Sequence, residues 1–291
     1  MNAPDGPLAY ALDRRRVRRS FDHAAATFDA ASVVHGEVRA NLLARLEFVS
    51  LNPRIVLDAG AGTGHAARAL KRRYPKALVI ALDLSPRMLQ AARRRQWWLR
   101  RFCCVCADAA RLPFAQGSVD LILSNLMLQW CNADEVFAEF RRVLAPHGLC
   151  CFTTLGPDTL HELRSAWSAA DSRTHVHQFF DMHDIGDALV RAGFASPVLD
   201  VERYTLSYAD LRGLAADLKA TGAANATLGR ARGLTGRAQY EALLTAYESF
   251  RQNGRLPATV EVVFGHAWSP PDGSTISLED VKRQLRAGRR P

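Results

Sequence analysis

Between residues 54 and 155 the chain alternates between two hydrophobic periods, and few architectures accommodate that alternation. The runs RIVLDAG, ALVIALD, RFCCVCAD, VDLILSN and LCCFTTLG are apolar at consecutive positions, as in strands buried on both faces. Between them, HAARALKRRY, SPRMLQAARRR and ADEVFAEFRRVLAPHG space their apolar residues at the helical period. Ser85 stands as an N-cap with Pro86 at the first helical position, where the missing N–H has no intrahelical partner to lose. The third helix is expected to stop at Pro146 and Gly148. Strand and helix in turn, joined by short loops, predict an α/β fold of the Rossmann-like, doubly wound type with a mostly parallel sheet.

Beyond residue 155, DTLHELRSAWSAA and MHDIGDALVRAGF are predicted helices and PVLDVERYTLSY a long strand. YADLRGLAADLKATGA and TGRAQYEALLTAYESFRQNG follow as helices on either side of glycine-rich NATLGRARGLTG. ATVEVVFGHAW then forms a last strand before a basic tail expected to fray. A helical insertion is therefore expected between the last two strands.

The balance of 48% hydrophobic and 23% charged residues is that of a globular protein, and no apolar run approaches the ~18 residues of a membrane span. In MNAPDGPLAYALDRRRVRRS the charge follows the apolar residues, the reverse of a secretory signal. Cys103, Cys104 and Cys106 share one strand-like run, Cys150 and Cys151 another, and Cys131 stands alone. Adjacent strand residues face opposite ways, so these read as buried reduced thiols without a metal, in a cytoplasmic protein. The net charge of +9 comes largely from RRRVRR at 14–19 and from Arg87, Arg93, Arg94, Arg95, Arg100 and Arg101. A solvated helical face accounts for it, as does attraction of an acidic protein or RNA. No RNA-binding signature accompanies it, and no nucleic-acid or membrane partner is expected.

At residues 58–64 the first strand runs into DAGAGTG. Gly60, Gly62 and Gly64 permit positive φ and close approach of a ligand to the backbone. A dinucleotide fingerprint places its third glycine one residue later, where this chain has His65. Asp58, ahead of the first glycine, would repel a phosphate and suits a ligand carrying an ammonium group, which favours S-adenosylmethionine over NAD. Asp83, with Leu84 behind it, closes the second strand where an acid can hold ribose hydroxyls. Asp108, with Ala109 behind it, ends the third strand and is placed to meet an adenine amino group. Asn125 follows the fourth strand, at the mouth where methyl donor and acceptor meet. Each alone also suits a strand-end cap; together they mark the carboxyl edge where such sheets bind ligands.

Residues 54–155 resemble a class I S-adenosylmethionine-dependent methyltransferase. FDHAAATFDAAS, DAARLPFAQGSVDLILSNLMLQWCNADEVFAEFRRVLAPHG, FTTLGPDTLHELRSAW, FDMHDIGDALVRAGF, DLKATGAANATLGRARGLTG and VEVVFGHAW resemble the BioC family, the malonyl-acyl-carrier-protein O-methyltransferases of biotin synthesis. The resemblance implies a seven-stranded sheet with its last strand antiparallel, S-adenosylmethionine as co-substrate, and methyl transfer to the free carboxyl of malonyl-acyl-carrier protein. Malonyl-CoA stays open as a second acceptor. It also implies contacts of Asp58, Gly60 and Gly64 with the methionine part, Asp83 with ribose, Asp108 with adenine, and Asn125 near the sulfonium. Phe28 departs from the tyrosine common in relatives. The expected division is a helical lid over residues 1–50, a cofactor-binding core over 51–207, an insertion covering substrate over 208–257, and the last strand with its tail over 258–291.

A malonyl carboxyl titrates near ~4 and is its own nucleophile at neutral pH, so no general base is required. A donor must still position it. Arg164, His183, Gln129 and Trp130 are the candidates, although Arg164 also suits a helix face, His183 a helix cap and Trp130 a core. Arg230, Arg232 and Arg237 are expected to meet an acidic carrier, and Arg93–Arg95 to lie on an outer helix. The competing readings are a quinone-type or RNA methylase, an assembly factor associated with arginine hydroxylation, and a non-catalytic scaffold.

Overall fold

The computed structural model describes residues 11–96, 98, 101–230, 233 and 235–271. Three N-terminal helices, α1 (Arg14–Ala24), α2 (Phe28–Ala31) and α3 (Val33–Arg45), precede the alternating region. That region runs β1 (Ile55–Ala59), α4 (His65–Arg73), β2 (Leu78–Asp83), α5 (Pro86–Arg94), β3 (Cys103–Cys106), β4 (Val119–Asn125), α6 (Ala133–Val143) and β5 (Leu144–Leu155). Then come α7 (His161–Ala170), α8 (Met182–Arg191), β6 (Ala195–Tyr208), α9 (Leu211–Ala220), α10 (Arg237–Glu248) and β7 (Leu256–Trp268).

The strands form one sheet in the order β3-β2-β1-β4-β5-β7-β6. The first five are parallel, and β7 is antiparallel to both β5 and β6. The winding reverses between β1 and β4, which opens a crevice at their carboxyl ends. Alternation along β1 sends Leu57 toward α6 and α8, with Phe137, Phe140 and Leu189, and Val56 toward α3 and α4, with Leu42 and Leu70. A third core joins α7, α9 and α10 through Leu163, Leu214, Leu243 and Tyr247, whose hydroxyl donates to the Pro257 carbonyl at 2.8 Å. The insertion is thus anchored on the far ends of β6 and β7. No helix among the described residues is long and apolar enough to cross a membrane.

Two sequence expectations need correction. The helix α6 stops at Val143, earlier than Pro146, because proline disfavours the helical conformation at the residue before it. Residues 144–148 instead enter β5 through a register shift, with His147 at φ +60°. The run holding Cys103 and Cys106 is an edge strand, so these two thiols are exposed, whereas Cys150 and Cys151 are buried. An apolar run cannot report how many neighbours its strand will have.

Candidate active site

The turn after β1 holds Gly60, Gly62 and Gly64 at φ +74°, +53° and +82°. A Cβ on Gly60 would lie 2.4 Å from Met127 Cγ, while one on Gly62 would meet nothing within 4 Å. Gly64 begins α4 and packs against Ala92 and Phe102. The Gly60 and Ala61 amides both donate to the Leu82 carbonyl, which ties the turn to the end of β2. Asp83 accepts from the Gly62 amide and the Ser85 amide, each at 2.8 Å. Burial pushes its pKa up to about 6 against the help of those amides. Asp58 is fully buried, and neither carboxylate oxygen has a hydrogen-bond partner at normal distance. Burial lifts its pKa to about 7, outweighing the Ala67 amide and the Arg39 charge that favour the ionised form.

Above the turn lies a cavity of ≈ 100 Å³ whose walls include Gly60, Gly62, Asp83, Leu84, Asp108, Ala109 and Asn125. Asp58 and Gly64 are not part of its wall. The rest of the wall includes Val17, Phe21 and His35 of α1–α3, Leu126, Met127 and Trp130, and also Phe28, the position that departs from the tyrosine common in relatives. The amphipathic FDHAAATFDAAS stretch was the available signal for the helical side. Polar residues of α1 and α2 fasten these helices to the core. Arg14 Nη1 donates to Asp108 at 2.9 Å and the same guanidinium pairs with Glu135. Ser85 Oγ donates to Asp22 at 2.6 Å, and Thr63 Oγ1 to Asp29 at 2.6 Å. Arg95 also pairs with Asp29, so this member of the Arg93–Arg95 cluster belongs to the N-terminal contact rather than to a free outer face.

A second, larger cavity of ≈ 320 Å³ lies between α7, α9, β6 and the 171–181 loop. Leu160, Leu163, Val176, Leu206, Leu214 and Leu218 make much of its wall apolar, and Gln129 and Trp130 are both in it. Four residues line both cavities: Phe21, His35, Leu126 and Trp130. Trp130 packs edge-on against Phe21 at 5.4 Å and His177 at 5.0 Å. His177 Nε2 accepts from the Ala226 amide at 2.7 Å, which leaves its proton on Nδ1, and burial pushes its pKa down to about 4. His175 stacks on Trp167 at 3.6 Å and bonds Asp171 at 2.8 Å. His35 is held at a pKa of about 4 by burial, with a smaller push from Arg39.

Arg164 and His183 line neither cavity. Arg164 donates to the Pro157 and Thr159 carbonyls at 3.0 and 2.9 Å, bracing the turn into α7, while Leu160 and Leu163 of the same segment face the cavity. His183 lies exposed in the first turn of α8, which Asp181 and Asp184 close with a reciprocal cap. Arg230 donates to the Thr227 carbonyl, Arg237 pairs with Glu241 along its helix, and Arg232 falls outside the described residues.

A family model described as a methyltransferase domain matches residues 57–152. The fold is shared with the YcgJ protein of Bacillus subtilis (TM-score 0.57, 16% identity, 79% of this chain and 97% of that one). It is also shared with a structure described as a SAM-dependent methyltransferase from Thermotoga maritima (TM-score 0.51, 15% identity, 87% and 99%). A malonyl-[acyl-carrier protein] O-methyltransferase of Methylovorus sp. is 54% identical over 278 residues, covering 91% of this chain and 94% of its own. One from Laribacter hongkongensis is 53% identical over 281 residues, covering 94% and 95%. With this identity along nearly its whole length, over the seven-stranded sheet of class I methyltransferases, the chain belongs to the malonyl-[acyl-carrier protein] O-methyltransferase family.

Proposed function

We propose that this protein transfers the methyl group of S-adenosylmethionine to the free carboxyl of malonyl-acyl-carrier protein. The observation that carries the reading is the meeting of two unlike cavities, one edged by Asp83, Asp108 and Asn125, the other walled chiefly by leucines and aromatics. The first suits a nucleoside. Asp83 and Asp108 can accept from hydroxyl and amino groups, and Gly62 leaves open space for close approach. Asp58, buried with no hydrogen-bond partner for either oxygen, would ionise as an ammonium group binds nearby and would then supply its counter-charge. S-adenosylmethionine, when bound, supplies an electrophilic methyl.

The larger cavity suits the acyl thioester arm. The malonyl carboxylate is already ionised and attacks without a general base. A carboxylate and a sulfonium neutralise one another as they react, so the low-dielectric surroundings of Phe21, Leu126 and Trp130 favour the transfer. The protein's part is alignment and exclusion of water. The methyl ester hides the charge, which lets chain extension proceed toward pimeloyl and biotin. Arg19 and Arg230 both lie close enough to Arg16 for their charges to oppose its own, and the group offers an acidic carrier a positive approach. Free thiols exposed at Cys103 and Cys106 fit a cytoplasmic setting.

The test is incubation of pure protein with methyl-labelled S-adenosylmethionine and malonyl-loaded carrier, with malonyl-CoA and bulk RNA in parallel. Label that alkali releases from the carrier supports the reading. Label in RNA, or none in either acyl substrate, overturns it.

A further inference from the structure

Among the described residues the two cavities share four lining residues, and their chemistry divides evenly. Phe21 and Leu126 present no polar side-chain atom at the junction. Trp130 and His35 do, and each is able to donate an N–H while uncharged. Among the described residues neither ring nitrogen of His35 makes a hydrogen bond or ion pair, and neither does the Trp130 indole. The position of His35 is nonetheless well defined. It sits in the first turn of α3, its carbonyl accepts from Asn125 Nδ2 at 3.3 Å, and its ring meets Phe28 edge-on at 5.2 Å. Both residues are half-buried, so a ring held in place at this junction can donate to a ligand that enters either cavity.

We infer that His35, beside Trp130, orients the acceptor carboxylate by donating an imidazole N–H to the oxygen that does not attack. This rests on the methyl-transfer reading above. The other oxygen keeps a free lone pair and bonds the methyl carbon as the carbon–sulfur bond breaks, its electron pair passing to sulfur. No proton moves. A cationic donor here would draw density from the nucleophile and repel the sulfonium. Burial keeps His35 neutral, so it orients without either effect. The role is not legible from sequence because α3 and β4 meet only in the folded chain.

The experiment compares wild type with H35L and H35Q. H35L is expected to lower kcat/KM for malonyl-carrier by about 10- to 100-fold, with S-adenosylhomocysteine affinity held within about threefold by calorimetry. H35Q, which keeps a neutral N–H, should recover about a third or more of the wild-type value. A role in packing alone would weaken nucleotide binding and rate together, and H35Q would not rescue either. In the unmutated protein, nitrogen NMR of the histidine ring gives a second readout. With S-adenosylhomocysteine bound, a malonyl thioester should shift the His35 resonances and an acetyl thioester should not. H35L at wild-type rate, or equal shifts with both thioesters, overturns the assignment. If wild type itself forms no alkali-labile ester, the functional reading fails instead.

Discussion

Arg14, the first residue of α1, donates to the Asp108 carboxylate at 2.9 Å, so the N-terminal helix is pinned to a wall residue of the smaller cavity. Both partners are partly solvent-exposed, which limits the pair to roughly 1 kcal/mol or less. R14A should therefore weaken S-adenosylmethionine binding by about two- to fivefold, with the deficit shrinking at high salt. Calorimetry at two ionic strengths reads this. Wild-type affinity in R14A would show that the helix does not hold the site closed.

The turn glycines should separate by experiment. At Gly60 an added methyl meets Met127 and must also adopt φ +74°, whereas at Gly62 only the backbone resists. G60A is expected to lose about 2–4 kcal/mol of stability and G62A about 1 kcal/mol. G62A should still impair cofactor binding, since its methyl projects into open space beside the cavity. Denaturant midpoints and calorimetry on the same samples distinguish the two. Equal melting of both variants would contradict the Met127 contact.

Asp58 and Asp83 link stability to pH with an unusual sign. Their folded pKa values, about 7 and about 6, lie above the ordinary carboxylate value. Between that value and about 7 the folded state therefore binds more protons than the unfolded chain. Stability must then fall as pH rises through this window, and the penalty is complete above it. The urea midpoint of the ligand-free protein should drop between pH 5 and pH 8, and D58N should flatten the slope. A midpoint that rises over this range in wild type and D58N alike would rule out a protonated Asp58.

Thiol reactivity should follow strand position. Cys103 and Cys106 on the edge strand are exposed, while burial holds the Cys150 thiol well above its ordinary pKa and pushes Cys151 up to about 12. Maleimide labelling followed by mass spectrometry should mark the first two within the native fold and the second two only in denaturant. Native labelling of Cys150 would mean that the central sheet opens far more readily than its packing implies.

Arg164 and His183 complete the set. R164A removes hydrogen bonds to the Pro157 and Thr159 carbonyls and should cost about 1–3 kcal/mol of stability, while KM for the malonyl substrate stays unchanged. H183A, on an exposed helix start, should change neither stability nor rate. A raised substrate KM in either variant would return that residue to the site.

The order of strands and helices, the glycine turn and the acids at the carboxyl edge could all be read from the chain. Each of these depends on a few consecutive residues, since a strand bounded by Asp58 or Asp83 puts that acid at its end whatever it later packs against. The fold decided the rest. It set β3 at the sheet edge, which exposed Cys103 and Cys106, and it turned Arg164 into a brace for its own turn. It also brought His35 within reach of Asn125 across 90 residues of chain. Which face of a helix meets a cavity depends on how that helix docks against distant elements, and no local period encodes docking.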